Sequence, residues 1–279
     1  MNPQAALFGA SSMIGWSILR ASDDPSLIAF CNASTRPHPA GVERGIDLDE
    51  ERAVAALFAE LQPALIVHCA AVCNVEACER SPEFASSVNV EGTRLLLAYA
   101  PSTARIVYVS SDHVFGGDAG PYDEHSRPAP ISVYGHTRVA AEELVLARPG
   151  SLVIRTSLWI GPSANGRIGH LDWLRDRHRR NLPMTVYSDE VRSAVWANDG
   201  GRRVWELARS SLTGIRHITA TRAVARPELA SYVDRHFAIG ARFDVAPRST
   251  RPVPHIGNVE LATCFRDELA APLPSAVPE

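Results

Sequence analysis

Ala5-Ala6-Leu7-Phe8-Gly9-Ala10-Ser11-Ser12-Met13-Ile14-Gly15 decides the architecture of this chain. Four apolar residues run into a turn bounded by glycine, and an amphipathic stretch follows. A short apolar run ending in glycine reads as a buried strand, and the stretch after it reads as a helix. Gly9 and Gly15 keep the first and last positions of a G-x-x-G-x-x-G turn, with Ser12 in the middle place. Such a turn lets backbone N–H groups approach a pyrophosphate at a helix N-terminus. Ser12 is small enough for that approach and offers a hydroxyl to a phosphate. The same turn can also join strand to helix without a ligand.

The pattern repeats outward from this unit. Leu27-Ile28-Ala29-Phe30-Cys31, Ala64-Leu65-Ile66-Val67-His68, Arg105-Ile106-Val107-Tyr108-Val109 and Leu152-Val153-Ile154-Arg155 are short apolar runs bounded by turn residues, as central parallel strands are. Helical patterns lie between them at residues 52–61, 84–99 and 134–146. Strands alternating with helices imply right-handed βαβ units, an α/β fold with a Rossmann-type doubly wound parallel sheet. After residue 160 prolines and arginines become frequent and strands sparse. Residues 171–180, 196–210 and 227–237 read as helices, 214–218 as a strand, and the proline-rich end at 271–279 as a fraying tail. The expected division is a nucleotide-binding domain at 1–160 and a smaller C-terminal substrate lobe at 161–279, with some strands returning to the main sheet.

Bulk properties narrow the function. The 279 residues carry a net charge of -3 and are 46% hydrophobic, so no polyanion partner is expected. The nearest thing to a basic patch, Arg175, Arg177, His178, Arg179 and Arg180, reads as a solvated helix face. All 28 basic residues are arginine, which excludes a lysine Schiff base or lysine acid from this chain. The five cysteines match no zinc or redox spacing, so no metal is expected and reduced thiols in the cytoplasm are. No apolar run is long enough to span a membrane.

After the second strand comes Asn32-Ala33-Ser34-Thr35-Arg36. An acid here would grip the ribose 2′-hydroxyl of NAD, and none is present. Thr35 and Arg36 suit a 2′-phosphate instead, because guanidinium binds phosphate bidentately. NADP(H) is therefore the expected cofactor and NAD(H) the lesser alternative; Arg36 as an ordinary surface residue stays open. Asp47, followed by Leu48, either caps the next helix or accepts from an adenine amino group. Ala70 and Ala71 leave room for a flat cofactor after the third strand.

The richest block is Tyr108-Val109-Ser110-Ser111-Asp112-His113-Val114-Phe115, then Pro121-Tyr122-Asp123-Glu124, then Tyr134-Gly135-His136-Thr137-Arg138 and Glu142. It closely resembles the Y-[IV]-S-[ST]-D-Y-V-F…Y-x-E…Y-G-x-[ST]-K…E signature of the dTDP-4-dehydrorhamnose reductase group of extended short-chain dehydrogenases/reductases, which also contains the regulatory β subunit of methionine adenosyltransferase. Val88-Asn89-Val90-Glu91-Gly92-Thr93 and Ile154-Arg155-Thr156-Ser157-Leu158-Trp159-Ile160-Gly161 extend the likeness, which runs from about residue 4 to about residue 220. The resemblance implies hydride transfer between NADP(H) and the carbonyl of a keto-sugar nucleotide. Tyr134 would supply the proton with its pKa drawn toward neutrality, Ser111 would polarise the carbonyl, and Asp112 would orient the site or the substrate. The implied cofactor contacts are Gly9, Ser11, Ser12, Met13, Ile14, Gly15, Thr35, Arg36, Asp47, Leu48, Ala70, Ala71, Asn89, Tyr134 and Arg138.

Arg138 stands where the family has lysine. Arginine stays cationic and can bond a ribose, but it cannot relay a proton. One reading is a reductase adapted to arginine. Another is a catalytically altered NADP-binding regulator or scaffold, and a third is a nucleotide-sugar epimerase or dehydratase. For the substrate, the candidates are Asp112, His113 (in place of the usual tyrosine), Val114, Arg155, Arg167, Trp159 and Arg192. The arginines are candidates for diphosphate contacts; Trp159 either stacks on substrate or packs in the core. Residues 184–194 match the family's D-[QE]-x-G-x-P-T strip only in part. A small-molecule substrate is expected as partner, with a homodimer left open.

Overall fold

The structure is a computed structural model that describes residues 5–35, 38–164, 166 and 169–279. In chain order its elements are β1 (Ala5–Phe8), α1 (Met13–Ala21), β2 (Leu27–Cys31), β3 (Arg44–Gly45), α2 (Glu51–Glu60), β4 (Leu65–His68), α3 (Val75–Arg80) and α4 (Pro82–Ser86). A π-helical turn (Ser87–Glu91) then leads into α5 (Gly92–Tyr99), followed by β5 (Arg105–Val109), α6 (Val133–Leu146), β6 (Leu152–Arg155), β7 (Trp159–Ile160) and α7 (His170–Arg179). The remainder is β8 (Thr185–Tyr187), β9 (Val191–Arg192), β10 (Val195–Trp196), α8 (Ala197–Arg209), β11 (Gly214–His217), β12 (Val224–Ala225), α9 (Arg226–His236), β13 (Asp244–Ala246) and β14 (Asn258–Val259).

Seven strands form one parallel sheet in the order β11-β6-β5-β4-β1-β2-β3. The order reverses beside β1, and there the carboxyl ends of β1 and β4 open a crevice for a ligand. Period-two alternation explains why both faces are buried. Leu7, Ala29, Val67, Val107 and Ile154 pack with Ile18 of α1 and Val204 and Trp205 of α8. Phe8, Phe30, Ile66, Ile106 and Val153 pack on the other side with Phe58 of α2, Leu96 of α5 and Val145 of α6. So α8, although it lies beyond residue 160, belongs to the main body, and β11 completes the main sheet.

The lobe is built from β7 with β10, β8 with β13, the sheet β12-β9-β14, and helices α7 and α9. A separate apolar cluster fills it, including Leu171, Leu174, Val224 and Leu229. Two expectations need correction. The stretch 84–99 is helical throughout but not α-helical throughout: a π-helical turn interrupts it at Ser87–Glu91, where the amide of Asn89 bonds both the N–H (2.8 Å) and the carbonyl (3.0 Å) of Val72. The tail does not fray. Leu273 N–H donates to Thr219, Ala276 N–H donates to Ala194, and Leu273, Ala276 and Val277 are buried.

Candidate active site

The turn at Gly9 shows why glycine is needed there. Gly9 has φ +92°, and a Cβ on it would lie 2.6 Å from the backbone nitrogen of Ala70. A Cβ on Gly15 would sit 2.2 Å from the Gly9 carbonyl oxygen. The chain thus folds back on itself and puts the first turn of α1 at the crevice. Ser12 caps α1: its hydroxyl accepts from Gly15 N–H (2.9 Å) and donates to Gly9 O (2.8 Å). Ser12 also lines the cavity that runs from this turn. Ser11 is half-buried in the same turn.

Two cavities meet at Ala71 along the carboxyl edge of the sheet. The first, about 540 Å³, lies over the ends of β1 and β2 and is lined by Gly9, Asn32, Ser34, Asp47, Leu48 and Ala70, among others. Asp47 does not cap α2. Its carboxylate accepts from the Asn32 side chain (2.5 Å) and the Ala33 N–H (3.1 Å), which ties the loop after β2 to the cavity rim. Thr35 closes that loop through its N–H on Asn32 O, at 3.0 Å. Arg36 and Arg167 lie outside the described residues.

The second cavity, about 260 Å³, gathers Met13, Ile14, Ser111, His113, Tyr134, Arg138, Trp159, His170 and Arg192, among others. Ser111 comes from the end of β5. Tyr134 and Arg138 lie one turn apart on α6, whose N-terminus is capped by the Ser132 hydroxyl. His113 meets the Tyr134 ring edge-on at 5.3 Å. The Tyr134 phenol is buried, and burial pushes its pKa up, against the pull of Arg138 and of a hydrogen bond with Ser111. The expected shift toward neutrality is therefore reversed: this phenol holds its proton at neutral pH.

Arg138 is buried with its guanidinium 4.6 Å from the Tyr108 ring and 5.8 Å from the Tyr134 ring. One Nη2–H bonds Val109 O, while Nε and Nη1 have no partner. Arg138 lines this cavity and keeps two buried donors without partners, and a bound ribose would bring hydroxyl acceptors to its side. Together with the glycine turn and the alanine-lined groove, these residues fit a dinucleotide.

Several other candidates have different jobs. Asn89 braces Val72 and Thr137 and does not line either cavity. Val114 is fully buried with Phe115, Tyr122 and Ile256. Arg155 is withdrawn from substrate: it forms a buried pair with Glu142 at 2.7 Å. Arg192 reaches the cavity but is committed to Asp112 by two bonds of 2.7 Å and to Glu190 at 2.9 Å. The Asp112–Arg192 pair fastens the lobe to the end of β5, so Asp112 positions the site. Trp159 donates its indole N–H to Thr156 (2.7 Å) and packs against Gly200, a core anchor that shows one face to the cavity. Sequence reasoning did not name Thr156, Ser157, Gly169 and His170 as cavity-lining residues; Thr156 and Ser157 lie in the 154–161 block that extends the family likeness, while no motif marks Gly169 and His170.

The family defined as the RmlD substrate binding domain matches residues 4–259. The chain belongs to this family of extended short-chain dehydrogenases/reductases. Among relatives of this RmlD-family protein, a probable dTDP-4,6-dihydroxy-2-methyloxan-3-one 4-ketoreductase of Streptomyces antibioticus is 32% identical over 214 residues, 74% of this chain and 69% of that one. Methionine adenosyltransferase 2 subunit beta of Xenopus laevis is 33% identical over 160 residues, 57% of this chain but only 47% of that one. The chain thus spans about half the length of that relative. Among solved structures, a dTDP-4-dehydrorhamnose reductase of Bacillus anthracis in complex with NADP superposes with a TM-score of 0.81 at 22% identity, covering 99% of this chain and 96% of that one. A hypothetical dTDP-4-dehydrorhamnose reductase from Sulfolobus tokodaii gives 0.79 at 24%, covering 94% and 92%. These two likenesses speak to the fold. Among the described residues no helix is long and apolar enough to cross a membrane.

Proposed function

We propose that this RmlD-family protein is an NADP-dependent reductase of a keto-sugar nucleotide of the dTDP-4-dehydro-6-deoxy type. One observation carries the reading: Ser111, Tyr134 and Arg138 converge on one cavity, and Arg138 has two nitrogens there without partners. When bound, NADPH supplies the hydride. The Gly9 turn and the N-terminus of α1 hold the pyrophosphate, and the cavity lined by Asp47, Leu48 and Ala70 takes the adenosine end. Arg36 would meet the 2′-phosphate. Arg138 bonds the nicotinamide ribose. Tyr134 gives its proton to the carbonyl oxygen as that oxygen gains charge, and Ser111 donates a second hydrogen bond to it. The Tyr134 phenol carries its proton at neutral pH, which is the form that reduction of a carbonyl requires. Asp112 fixes the lobe through Arg192. The substrate lobe consists mainly of residues after 160.

The test is NADPH consumption with a panel of keto-sugar nucleotides. The reading requires NADPH to be oxidised only when a ketone is present, and faster than NADH. A protein that binds NADPH and leaves it intact with every ketone refutes it. A second reading, an NADP-binding regulatory subunit, is supported by Arg138 in the lysine place and by the likeness to methionine adenosyltransferase 2 subunit beta. It requires cofactor binding without turnover and a stable complex with a partner enzyme.

A further inference from the structure

Arg138 is a buried cation that no carboxylate holds. It is 2% exposed, and among the described residues its hydrogen-bond partner is the carbonyl of Val109. Glu142 lies one turn further along α6, but Arg155 takes up both its oxygens through contacts of 2.7, 3.1 and 3.2 Å. Asp112, at the end of β5, is bound by Arg192. His68 packs its ring 5.3 Å from that of Tyr108 and adds no charge of its own. Burial and the nearby Arg138 lower its pKa to about 3, so it stays neutral.

What remains beside the guanidinium is an aromatic face. Its carbon stands 4.6 Å from the centre of the Tyr108 ring. Tyr108 is fully buried in β5, with His68 of β4 opposite it on one side and Val153 of β6 on the other, so its backbone is held from both flanks. The Tyr108 hydroxyl is buried and has no partner, so the ring is the part of the side chain that serves the arginine. A ring face attracts a cation through its quadrupole and carries no net charge. A carboxylate in its place would oppose the field of Arg138 at the Tyr134 ring, 5.8 Å away, and would take up the fork of N–H donors. Beside Tyr108 the charge stays uncompensated, and Nε and Nη1 stay without partners. Val109, the next residue of β5, takes Nη2, and Ser111 follows two residues later. One strand thus places the ring, the carbonyl and the Ser111 hydroxyl together.

We propose that Tyr108 is a positioning residue for the reduction: its buried ring face holds the Arg138 guanidinium in place as an unpaired cation, free to act on Tyr134 and on a bound cofactor. The proposal rests on the reductase reading and adds how the cation in the lysine place is held without being neutralised. The test combines fluorescence titration with NADPH and steady-state rates with a keto-sugar nucleotide. Tyr108→Leu should weaken NADPH binding by about fivefold or more and lower kcat by a similar factor. Tyr108→Phe keeps the face and should stay within about twofold of wild type in both. A series of increasingly fluorinated phenylalanines at position 108 empties the ring face at nearly constant shape and should weaken NADPH binding stepwise. That series also stands in for Tyr108→Leu if the latter does not fold. In Arg138→Met protein, by contrast, the same changes at position 108 should alter NADPH affinity by less than about twofold, because the cation they act through is gone. Equal losses with and without Arg138, or an affinity indifferent to fluorination, would make Tyr108 a packing residue and overturn the proposal. Ketone-dependent NADPH consumption by the wild type is followed in parallel. Its absence removes the reductase reading and any role in reduction, whereas the affinity series decides separately whether Tyr108 acts on the cofactor through Arg138.

Discussion

Replacing Arg138 by methionine separates catalysis from stability. The guanidinium is buried, 5.8 Å from the Tyr134 ring, and two of its nitrogens bond nothing. Two unit charges about 6 Å apart interact by about 3 kcal/mol at an effective dielectric near ~20. If about half the phenolate charge has developed in the transition state, removing the cation costs about 1.5 kcal/mol, or about tenfold in kcat. A lost charged hydrogen bond to the cofactor adds about 1.5–3 kcal/mol, seen as a rise in the KM for NADPH of about tenfold or more. Folding responds in the opposite sense, because methionine is apolar, of similar length, and relieves an incompletely paired buried cation. The Arg138→Met protein should therefore turn over slowly and melt no lower than wild type. Steady-state rates at varied NADPH and ketone, with denaturant unfolding of the same sample, read both effects. An unchanged kcat, or a sharp fall in stability with normal kinetics, refutes this role for Arg138.

Other substitutions and conditions test separate parts of the account. Gly15→Ala should cost about 1–3 kcal/mol and abolish NADPH binding, because its Cβ would lie 2.2 Å from the Gly9 carbonyl oxygen; a variant with wild-type cofactor affinity contradicts that packing. Glu142→Gln should destabilise by about 3–5 kcal/mol, since it strands the Arg155 charge in the core; an unmoved urea midpoint contradicts the pairing. Acid should weaken the fold. Burial lowers His68 to about 3 and His113 to about 4, and His170 and His217 are also pushed below the ordinary 6.5. The unfolded chain then binds more protons below that pH. Stability is full above about pH 6.5 and falls as acid is added, by up to about 1.4 kcal/mol per histidine per pH unit. Urea midpoints that stay flat from neutral pH to pH 5 contradict buried neutral histidines.

The sheet was legible because strand burial is a local pattern. Each of β1, β2, β4, β5 and β6 is an apolar run bounded by turn residues, and the glycines at 9 and 15 fix the first turn whatever lies further away. Ser111, Tyr134 and Arg138 were legible through the family signature they resemble, and the fold puts two of them one helical turn apart on α6 and the third just after β5. The roles of Arg155 and Arg192 were not. An arginine looks like a phosphate ligand until its carboxylate is known, and those partners lie 13 and 80 residues away in sequence. His170 and Arg226 are 56 residues apart, so only the fold brings them together. The tail misled for a related reason: its prolines suggest fraying, but its remaining N–H groups find acceptors at Thr219 and Ala194. The reversed shift of Tyr134 depends on burial, which a motif does not report.

The most direct measurement of the central claim, that Tyr134 delivers the proton beside a cofactor held by Arg138 and the Gly9 turn, is a single-turnover comparison of wild type and Tyr134→Phe preloaded with NADPH. On addition of a 4-keto-6-deoxy sugar nucleotide, the wild type should oxidise one NADPH per sugar reduced. The variant should bind NADPH equally well and react about 10²–10⁴-fold more slowly. Equal rates in the two proteins would contradict the account.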